Sequence, residues 1–197
     1  MKYMNFPNLI SFSRILVAPV FYFFFISEDP HLMSIACWVF IFAALTDIID
    51  GWSARRLGIV TRYGEFLDPL ADKILTLLAL IAFVQYDIIP VWMVTIIFIR
   101  DLFSTGLRIV ALIRHSPIET SRSAKAKTTI EMLFISYILL LIYVKLNFAE
   151  IPPITMERLI HSNITYMLAL VVTLMALYSQ AGYVIRYQSL IKKSKKC

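Results

Sequence analysis

The chain has 197 residues, of which 59% are hydrophobic and 16% are charged, and its mean hydropathy is +0.75. Soluble domains average about 45–50% apolar residues, so this composition argues against a soluble globular protein. The formal charge of +6 would suit nucleic-acid binding in a soluble chain. Here the basic residues flank long apolar stretches. We therefore expect them to orient the chain in a membrane and to meet membrane lipids or phosphorylated substrates, with no nucleic-acid partner.

Six apolar stretches are long enough to cross a bilayer, which takes about 20 helical residues. Ahead of them, residues 4–14 mix apolar and polar side chains, with Pro7 suited to a helix start and Arg14 to the membrane interface. We predict an all-α polytopic membrane protein with six transmembrane helices and a short N-terminal interfacial helix. Because the connections are short, residues 1–197 are expected to form a single domain. The predicted spans are Leu9–Ile26, Leu32–Leu57, Gly64–Gln85, Ile89–Ile113, Ala124–Leu146 and Ser162–Ile191.

Basic residues fall mainly on one side of this six-span arrangement. Lysine and arginine concentrate in the cytoplasmic loops of membrane proteins, so we expect both termini and the loop after the second span in the cytoplasm. Only Lys145 and Arg158 fall on the other side, among several acidic residues. The basic residues predicted to face the cytoplasm are Lys2, Arg55, Arg56, Arg62, Arg114, Arg122, Lys125, Lys127, Lys192, Lys193, Lys195 and Lys196.

Two aspartates lie at the end of the second predicted span, and two lie at the start of the third. Asp47 and Asp50 are three residues apart. Asp68 and Asp72 are four residues apart. Both spacings place a pair on one helix face with Cβ atoms about 5–6 Å apart. An aspartate at bilayer depth costs about 2.5–3.5 kcal/mol on insertion scales, which argues against four accidental ones. The short connection predicts antiparallel neighbouring helices whose carboxylates converge.

Four converging carboxylates cannot all stay ionised without cations. Oxygen-rich sites suit Mg²⁺ or Mn²⁺, and two ions about 3.5–4 Å apart would fit such a cluster. Metals held there would bridge phosphate oxygens during phosphoryl transfer. Proton or cation transport is the rival use of intramembrane acids, but it predicts acids dispersed along a pathway, whereas these lie at one level. A salt-bridged structural set and a non-enzymatic scaffold remain as further alternatives.

Small residues share the faces that carry the aspartates. Gly51 and Ala54 follow Asp47 at i+4 and i+7, and Gly64 precedes the third aspartate by four residues. Such residues expose backbone and allow a flat or phosphorylated ligand to approach closely. Helix packing is the alternative use of glycine in membranes. Arg55, at the rim of this region, is suited to binding phosphate oxygens.

This set of residues resembles a known family, the CDP-alcohol phosphotransferases. The family signature is matched in full by Asp47-x2-Asp50-Gly51-x2-Ala54-Arg55-x8-Gly64-x3-Asp68-x3-Asp72. The resemblance implies a six-helix membrane fold, usually dimeric, that moves a substituted phosphate from a CDP-linked donor onto an alcohol and releases CMP. It implies that the four aspartates ligate metal, with Asp72 also the candidate base for the acceptor hydroxyl. The implied CDP-binding residues are Asp47, Gly51, Ala54, Arg55, Gly64, Asn8 and Ser11.

The flanking sequence is similar to that of bacterial phosphatidylglycerophosphate synthases. The similar stretches are Pro7-Asn8-x2-Ser11-x2-Arg14, residues 100–108 and residues 125–132. This resemblance implies CDP-diacylglycerol as donor, sn-glycerol 3-phosphate as acceptor and the inner (plasma) membrane as location. Two departures bear on the acceptor, since Asp101 and Ala124 stand where that family usually has Glu and Gly. Cardiolipin, phosphatidylinositol phosphate and phosphatidylserine synthases are the alternatives within the family, and a cation transporter is the remote one.

Basic residues of the fourth and fifth spans predict a second phosphate site. Arg100 lies mid-span, and Arg108 follows eight residues later on roughly the same face. Lys125 and Lys127 open the fifth helix, where free backbone N–H groups and the helix dipole also favour an anion. A phosphorylated acceptor such as glycerol 3-phosphate would fill this site. The alternatives are an ion pair for Arg100 and ordinary membrane anchoring for the two lysines.

Overall fold

A computed structural model describes residues 6–57, 62–113 and 122–194, with side chains for residues 13–46, 71, 73–107 and 123–181. Every regular element within those ranges is an α-helix, and they contain no strand, so the predicted all-α class is confirmed. The helices are α1 (Phe6–Phe25), α2 (Pro30–Leu57), α3 (Arg62–Gln85), α4 (Val91–Ile113), α5 (Arg122–Asn147), α6 (Pro153–Ile160) and α7 (Asn163–Ser194).

The six long helices coincide with the six predicted spans, and their boundaries differ by three residues or fewer. The N-terminal segment is not a separate interfacial helix, because α1 runs unbroken from Phe6 to Phe25. Pro7 lies in the first turn of α1, where a missing N–H costs nothing. No helix-breaking residue separates that turn from the apolar stretch that follows.

The short helix α6 was not predicted. It has eight residues, begins with Pro153 and lies between α5 and α7. Proline is well tolerated at a helix start because the first N–H groups have no partner within the helix. The hydroxyl of Ser162 accepts a 3.3 Å hydrogen bond from the Thr165 amide and so caps α7. The Thr165 hydroxyl donates to the Leu159 carbonyl at 2.8 Å, which ties α7 to α6.

Helix α1 packs along both α2 and α3. The ring centroids of Phe21 in α1 and Phe40 in α2 are 5.4 Å apart, and those of Phe25 and Phe83 in α3 are 6.0 Å apart. Buried alanines in all three helices, such as Ala18, bring the backbones close, which favours van der Waals packing where lipid removes the hydrophobic drive. Helix α5 also contacts α2 and α3, and α7 contacts α4 and α5.

The contacts of Phe25 define the two ends of the bundle. At the end of α1, its carbonyl accepts a 3.1 Å hydrogen bond from the hydroxyl of Tyr86, just after α3. Helix α2 begins at this same end, with Pro30 following Asp29, whose carboxylate accepts a hydrogen bond from the His31 amide at 2.8 Å. Since α2 leaves this end and α3 arrives at it, the two run antiparallel. The end of the bundle where α2 finishes and α3 begins is called here the aspartate end. The end where α1 finishes and α2 begins is called the opposite end.

The described surface is consistent with a membrane protein. Ser123–Asn147 and Pro153–Ala181 are long and apolar enough to cross a membrane, and Ser13–Phe25, Pro30–Thr46 and Lys73–Gln85 are shorter apolar helical stretches. Large apolar side chains face outward on several helices. Leu102 and Leu133 are each 63% exposed. Apolar exposure on this scale suits contact with lipid and is rare in soluble monomers.

Candidate active site

The four aspartates lie on two helices at one end of the bundle. Asp47 and Asp50 belong to the second half of α2, and Asp68 and Asp72 belong to the first half of α3. With a rise of about 1.5 Å per residue, all four are roughly 20–30 Å from the opposite end. Both helices are continuous through these positions, so each pair keeps the spacing that places it on one face. The aspartate side chains lie outside the described part of the structure, and their convergence stays a prediction.

Directly after Asp72, Lys73 enters a group of buried charged residues. The group, called here the buried charge cluster, joins α3, α4 and α5. The Lys73 ammonium is 2.9 Å from Asp101 Oδ2 and 3.9 Å from Glu131 Oε2. The cluster consists of Lys73, Arg100, Asp101, Lys127 and Glu131.

Asp101 is the centre of the buried charge cluster. Lys127 Nζ donates to both Asp101 carboxylate oxygens at 2.9 Å and to Glu131 Oε2 at 2.8 Å. Arg100 Nη1 donates to Asp101 Oδ1 at 2.7 Å. Three cations from three helices therefore share this one carboxylate. Charge-assisted hydrogen bonds of this length are about twice as strong as neutral ones.

Arg100 also joins α4 to α7. Its Nε donates to the Ala176 carbonyl at 3.2 Å, and its Nη2 donates to the Ser179 hydroxyl. One turn further along α4, the Ser104 hydroxyl donates to Gln180 Oε1 at 2.7 Å. The same guanidinium therefore bonds to Asp101 and to two groups of α7. Arg100 therefore connects the buried charge cluster to a fourth helix, α7.

Four of the five side chains are largely removed from solvent, whereas that of Lys73 is 23% exposed. The side chains of Lys127 and Glu131 are 0% exposed, and that of Asp101 is 9% exposed. With three bases and two acids ionised, the net charge is 3 − 2 = +1. Buried charges are tolerated only when they are paired, and removing one partner of a buried pair typically costs about 3–5 kcal/mol. Removal of any one charged side chain from the cluster is therefore expected to destabilise the fold.

A pocket between α3 and α4 reaches the buried charge cluster. Its volume is about 120 Å³, and Lys73, Asp101 and Glu131 form its polar end. The rest of the lining is mainly apolar, and Phe98 and Leu102 at its margin are exposed on the outer face of α4. Glu131 Oε1 is buried without a hydrogen-bond partner. The cluster thus borders an open space on the α3–α4 side.

The predicted acceptor-phosphate residues occupy different environments. Arg100 is 7% exposed and forms the ion pair that was the alternative interpretation of its sequence position. Lys127 is buried and paired with two carboxylates, whereas Lys125 is exposed on the first turns of α5. Arg108 belongs to α4, but its side chain lies outside the described part. Phosphate binding by these four residues stays a prediction.

The predicted CDP-binding residues lie on three helices. Asn8 and Ser11 belong to α1, and Gly64 belongs to α3. The side-chain surroundings of the whole set lie outside the described residues, so their contacts stay predictions. Among the side chains that are described, no three of the His, Cys, Asp and Glu type come together as metal ligands. The α2 residues of the set are Asp47, Gly51, Ala54 and Arg55.

Sequence reasoning missed Glu131 and the pairing of Lys73. Lys127 and Glu131 are four residues apart on one helix, so their spacing was a readable signal of a pair. The contact of Lys73 with Asp101 had no such signal, because it joins two helices across 28 positions of sequence. In the sequence Asp101 stands out as a departure from the resembled pattern and as a possible partner of Arg100, whereas its central position comes from the structure.

Comparison with known proteins gives consistent matches. The family described as CDP-alcohol phosphatidyltransferase matches residues 4–176. A Bacillus subtilis (strain 168) protein named CDP-diacylglycerol–glycerol-3-phosphate 3-phosphatidyltransferase is 36% identical over an alignment of 148 positions, covering 69% of this chain and 77% of the relative. A Rickettsia felis protein of the same name is 33% identical over 137 positions, covering 69% and 75%. A Pseudomonas fluorescens protein of that name is 46% identical over 82 positions, covering 42% of each.

Proposed function

The chain belongs to the CDP-alcohol phosphatidyltransferase family, and on that premise we propose that it acts on CDP-diacylglycerol and sn-glycerol 3-phosphate. The products are phosphatidylglycerol phosphate and CMP, as in phospholipid biosynthesis. The observation that carries this choice of substrates is the identity of 36% and 33% to two proteins named for the reaction. The complete signature of four aspartates supports the chemistry, and the basic residues of α4 and α5 support a phosphorylated acceptor.

The proposed cofactor is a pair of divalent ions, Mg²⁺ or Mn²⁺, held by Asp47, Asp50, Asp68 and Asp72. The donor set fits these ions, because four carboxylates at one end of the bundle supply only the hard oxygen ligands that they prefer. When bound, such ions neutralise phosphate charge and polarise phosphoryl oxygens. If the four carboxylates converge as proposed, the aspartates would also need cations for their own stability, since four adjacent negative charges repel one another.

In the proposed reaction, Asp72 accepts the proton of the acceptor hydroxyl. The hydroxyl oxygen forms a bond to the phosphorus of the phosphatidyl group. The bond from that phosphorus to the oxygen bridging the two phosphates breaks, and CMP leaves with this oxygen and its electron pair. Arg55 is proposed to bind the phosphates of the CDP group. The small residues Gly51, Ala54 and Gly64, with Asp47, Asn8 and Ser11, complete the proposed CDP site.

The proposed acceptor-phosphate site combines two kinds of basic residue. Arg108 and the exposed Lys125 are proposed to contact the phosphate directly. Arg100 and Lys127 already bond to Asp101, so they would contribute mainly through the +1 charge of the cluster behind the site. The start of α5 adds free backbone N–H groups, which favour an anion. A neutral acceptor lipid would gain little from this arrangement.

We further propose that the chain is one membrane domain whose six long helices all cross the inner (plasma) membrane. The active site and both termini would face the cytoplasm. The sorting of charges supports this orientation, because Glu28, Lys145 and Glu157 surround one pocket at the opposite end, away from most of the bases. A homodimer is proposed from the family resemblance alone.

The acceptor is tested by CMP release from CDP-diacylglycerol with purified protein and Mg²⁺ or Mn²⁺. Glycerol 3-phosphate, inositol phosphate, serine and phosphatidylglycerol are added in turn. We expect turnover with glycerol 3-phosphate alone. Turnover with another acceptor instead would contradict the assignment and leave the aspartate chemistry standing. If no CMP is released with any of these acceptors, the transporter or scaffold alternatives would be favoured.

The metal requirement is tested by chelation. EDTA should abolish CMP release, and Mg²⁺ or Mn²⁺ added in excess should restore it. Binding of Mn²⁺ to detergent-purified protein, followed by electron paramagnetic resonance, gives a readout independent of turnover. We expect about two ions per chain in wild type and fewer in Asp50→Asn. Full activity in a chelated sample would rule out the proposed cofactor.

A further inference from the structure

We propose that Asp101 and Glu131 are positioning residues for phosphatidyl transfer. They hold Lys73, Arg100 and Lys127 and thereby fix the first half of α3, which carries two aspartates, against the start of α5, which carries bases. The inference rests on the proposed function, because it assigns the two carboxylates to that reaction. Neither residue is proposed to touch the substrates.

The geometry gives Asp101 a role that no other described carboxylate shares. Lys73 of α3 and Lys127 of α5 are both 2.9 Å from Asp101 Oδ2, so a single oxygen of α4 joins the two neighbouring helices. The other oxygen accepts from Arg100 at 2.7 Å and from Lys127 at 2.9 Å. A shift of either helix along its axis would break at least one of these contacts.

Glu131 supports the same arrangement from within α5. Its Oε2 accepts from Lys127 at 2.8 Å, which orients the lysine toward Asp101. Lys73 is 3.9 Å from that oxygen, so both lysines are attracted by both carboxylates. The side chain of Glu131 is 0% exposed. A carboxylate this deeply buried is stabilised only by fixed cations, and it in turn fixes their positions.

The residues held by the cluster are close in sequence to the proposed reacting groups. Lys73 follows Asp72, the proposed base, and Lys127 lies two residues after Lys125, a proposed phosphate-binding residue. The distance between base and acceptor therefore depends on how α3 and α5 are held. A misplacement of about 1 Å can lower a rate roughly 100-fold. The proposed contribution of Asp101 and Glu131 is to keep the base and the acceptor at the right distance.

Asp101→Asn is the direct test, since it removes one charge and keeps the shape of the side chain. We expect kcat/KM for glycerol 3-phosphate to fall about 10- to 100-fold, the range for loss of an outer partner that orients a reacting group. The KM for CDP-diacylglycerol should be unchanged. Asp101→Glu keeps the charge and should recover most of the activity. An Asp101→Asn enzyme with wild-type kcat and KM would overturn the proposal.

A second variant separates positioning from simple stabilisation. Asp101→Asn raises the cluster charge from +1 to +2, and adding Lys73→Met returns it to 2 − 1 = +1. We expect the double variant to regain thermal stability in detergent without regaining turnover, since α3 is no longer tied to Asp101. Recovery of turnover together with stability would show that the cluster serves the fold alone.

One control variant and one substitute test variant complete the experiment. Lys145→Met removes a lysine from the exposed ion pair with Glu157 at the opposite end and should leave turnover unchanged. If Asp101→Asn cannot be purified in folded form, Glu131→Gln carries the same test, with a smaller expected fall in kcat. Wild-type protein that releases no CMP would overturn the proposed function itself, whereas active wild type with an unaffected Glu131→Gln would overturn only the positioning role.

Discussion

The two ends of the bundle both use lysine–carboxylate pairs, but in different surroundings. Near the aspartate end, Lys127 is 0% exposed and bonds to two carboxylates within the buried charge cluster. At the opposite end, Lys145 pairs with Glu157 alone, and their side chains are 31% and 52% exposed. The first arrangement is largely buried and borders the pocket of about 120 Å³ between α3 and α4, whereas the second lies beside a pocket of about 380 Å³.

Burial decides what each pair can do. An exposed pair typically contributes about 0–1 kcal/mol, because water screens it and two flexible side chains must be ordered. A buried pair loses far more when one partner is removed, since the other charge is left in a medium of low polarity. The buried pairs can therefore hold helices in fixed relative positions. The opposite end also contains hydrogen bonds to main-chain carbonyls, such as that from the Tyr86 hydroxyl to the Phe25 carbonyl at 3.1 Å.

The largest expected effect comes from Asp72→Asn at the aspartate end. Removing the proposed base should lower kcat by about 100- to 10,000-fold, the usual contribution of a general base. Glu28→Gln changes an exposed acid near the start of α2 at the opposite end and serves as the matched control with normal turnover. The measurement is the rate of CMP release. An equal loss of this rate in both variants would contradict the proposed difference between the two ends.

The next effect concerns stability. Lys127→Met should lower the free energy of unfolding by about 3–5 kcal/mol, because Asp101 and Glu131 lose a shared buried cation. Denaturant titration in mixed micelles measures the change against wild type. A loss below about 1 kcal/mol, the level of an exposed pair, would show that the cluster is not solvent-excluded in the folded protein.

A smaller and more selective effect is expected from Arg108→Gln. Loss of one charge-assisted contact, worth about 1.5–3 kcal/mol, should raise the KM for glycerol 3-phosphate roughly 10-fold or more. The KM for CDP-diacylglycerol should stay within error of wild type. Arg158→Gln, which removes an arginine from α6, is the control. A parallel rise in both KM values for Arg108→Gln would remove this residue from the proposed acceptor site.

The smallest expected effect is that of Lys145→Met on stability. Because its ion pair with Glu157 is largely exposed, we expect a change of about 0–1 kcal/mol, which should shrink further in high salt. The measurement is the same denaturant titration at two ionic strengths. A loss as large as that of Lys127→Met would show that exposure does not distinguish the two ends.

The long helices could be predicted from sequence because each is encoded by an apolar stretch of about the length needed to cross a bilayer. Helix α6 escaped prediction because its eight residues are too few to cross a membrane. The end of the bundle that carries the aspartates also followed from sequence, since α2 and α3 are joined by a short connection. The pairing of Lys73 with Asp101 could not be predicted, because side-chain contacts between helices depend on helix rotation, which apolar length does not fix.

The most direct test of the account is the stoichiometry of products. Purified protein is given CDP-diacylglycerol, glycerol 3-phosphate and Mg²⁺, and CMP and lipid products are quantified together by mass spectrometry. The account predicts one phosphatidylglycerol phosphate for each CMP, with both products formed about 100-fold or more slowly by Asp72→Asn. CMP without that lipid, or the lipid formed equally well by Asp72→Asn, would contradict phosphatidyl transfer at the aspartate end.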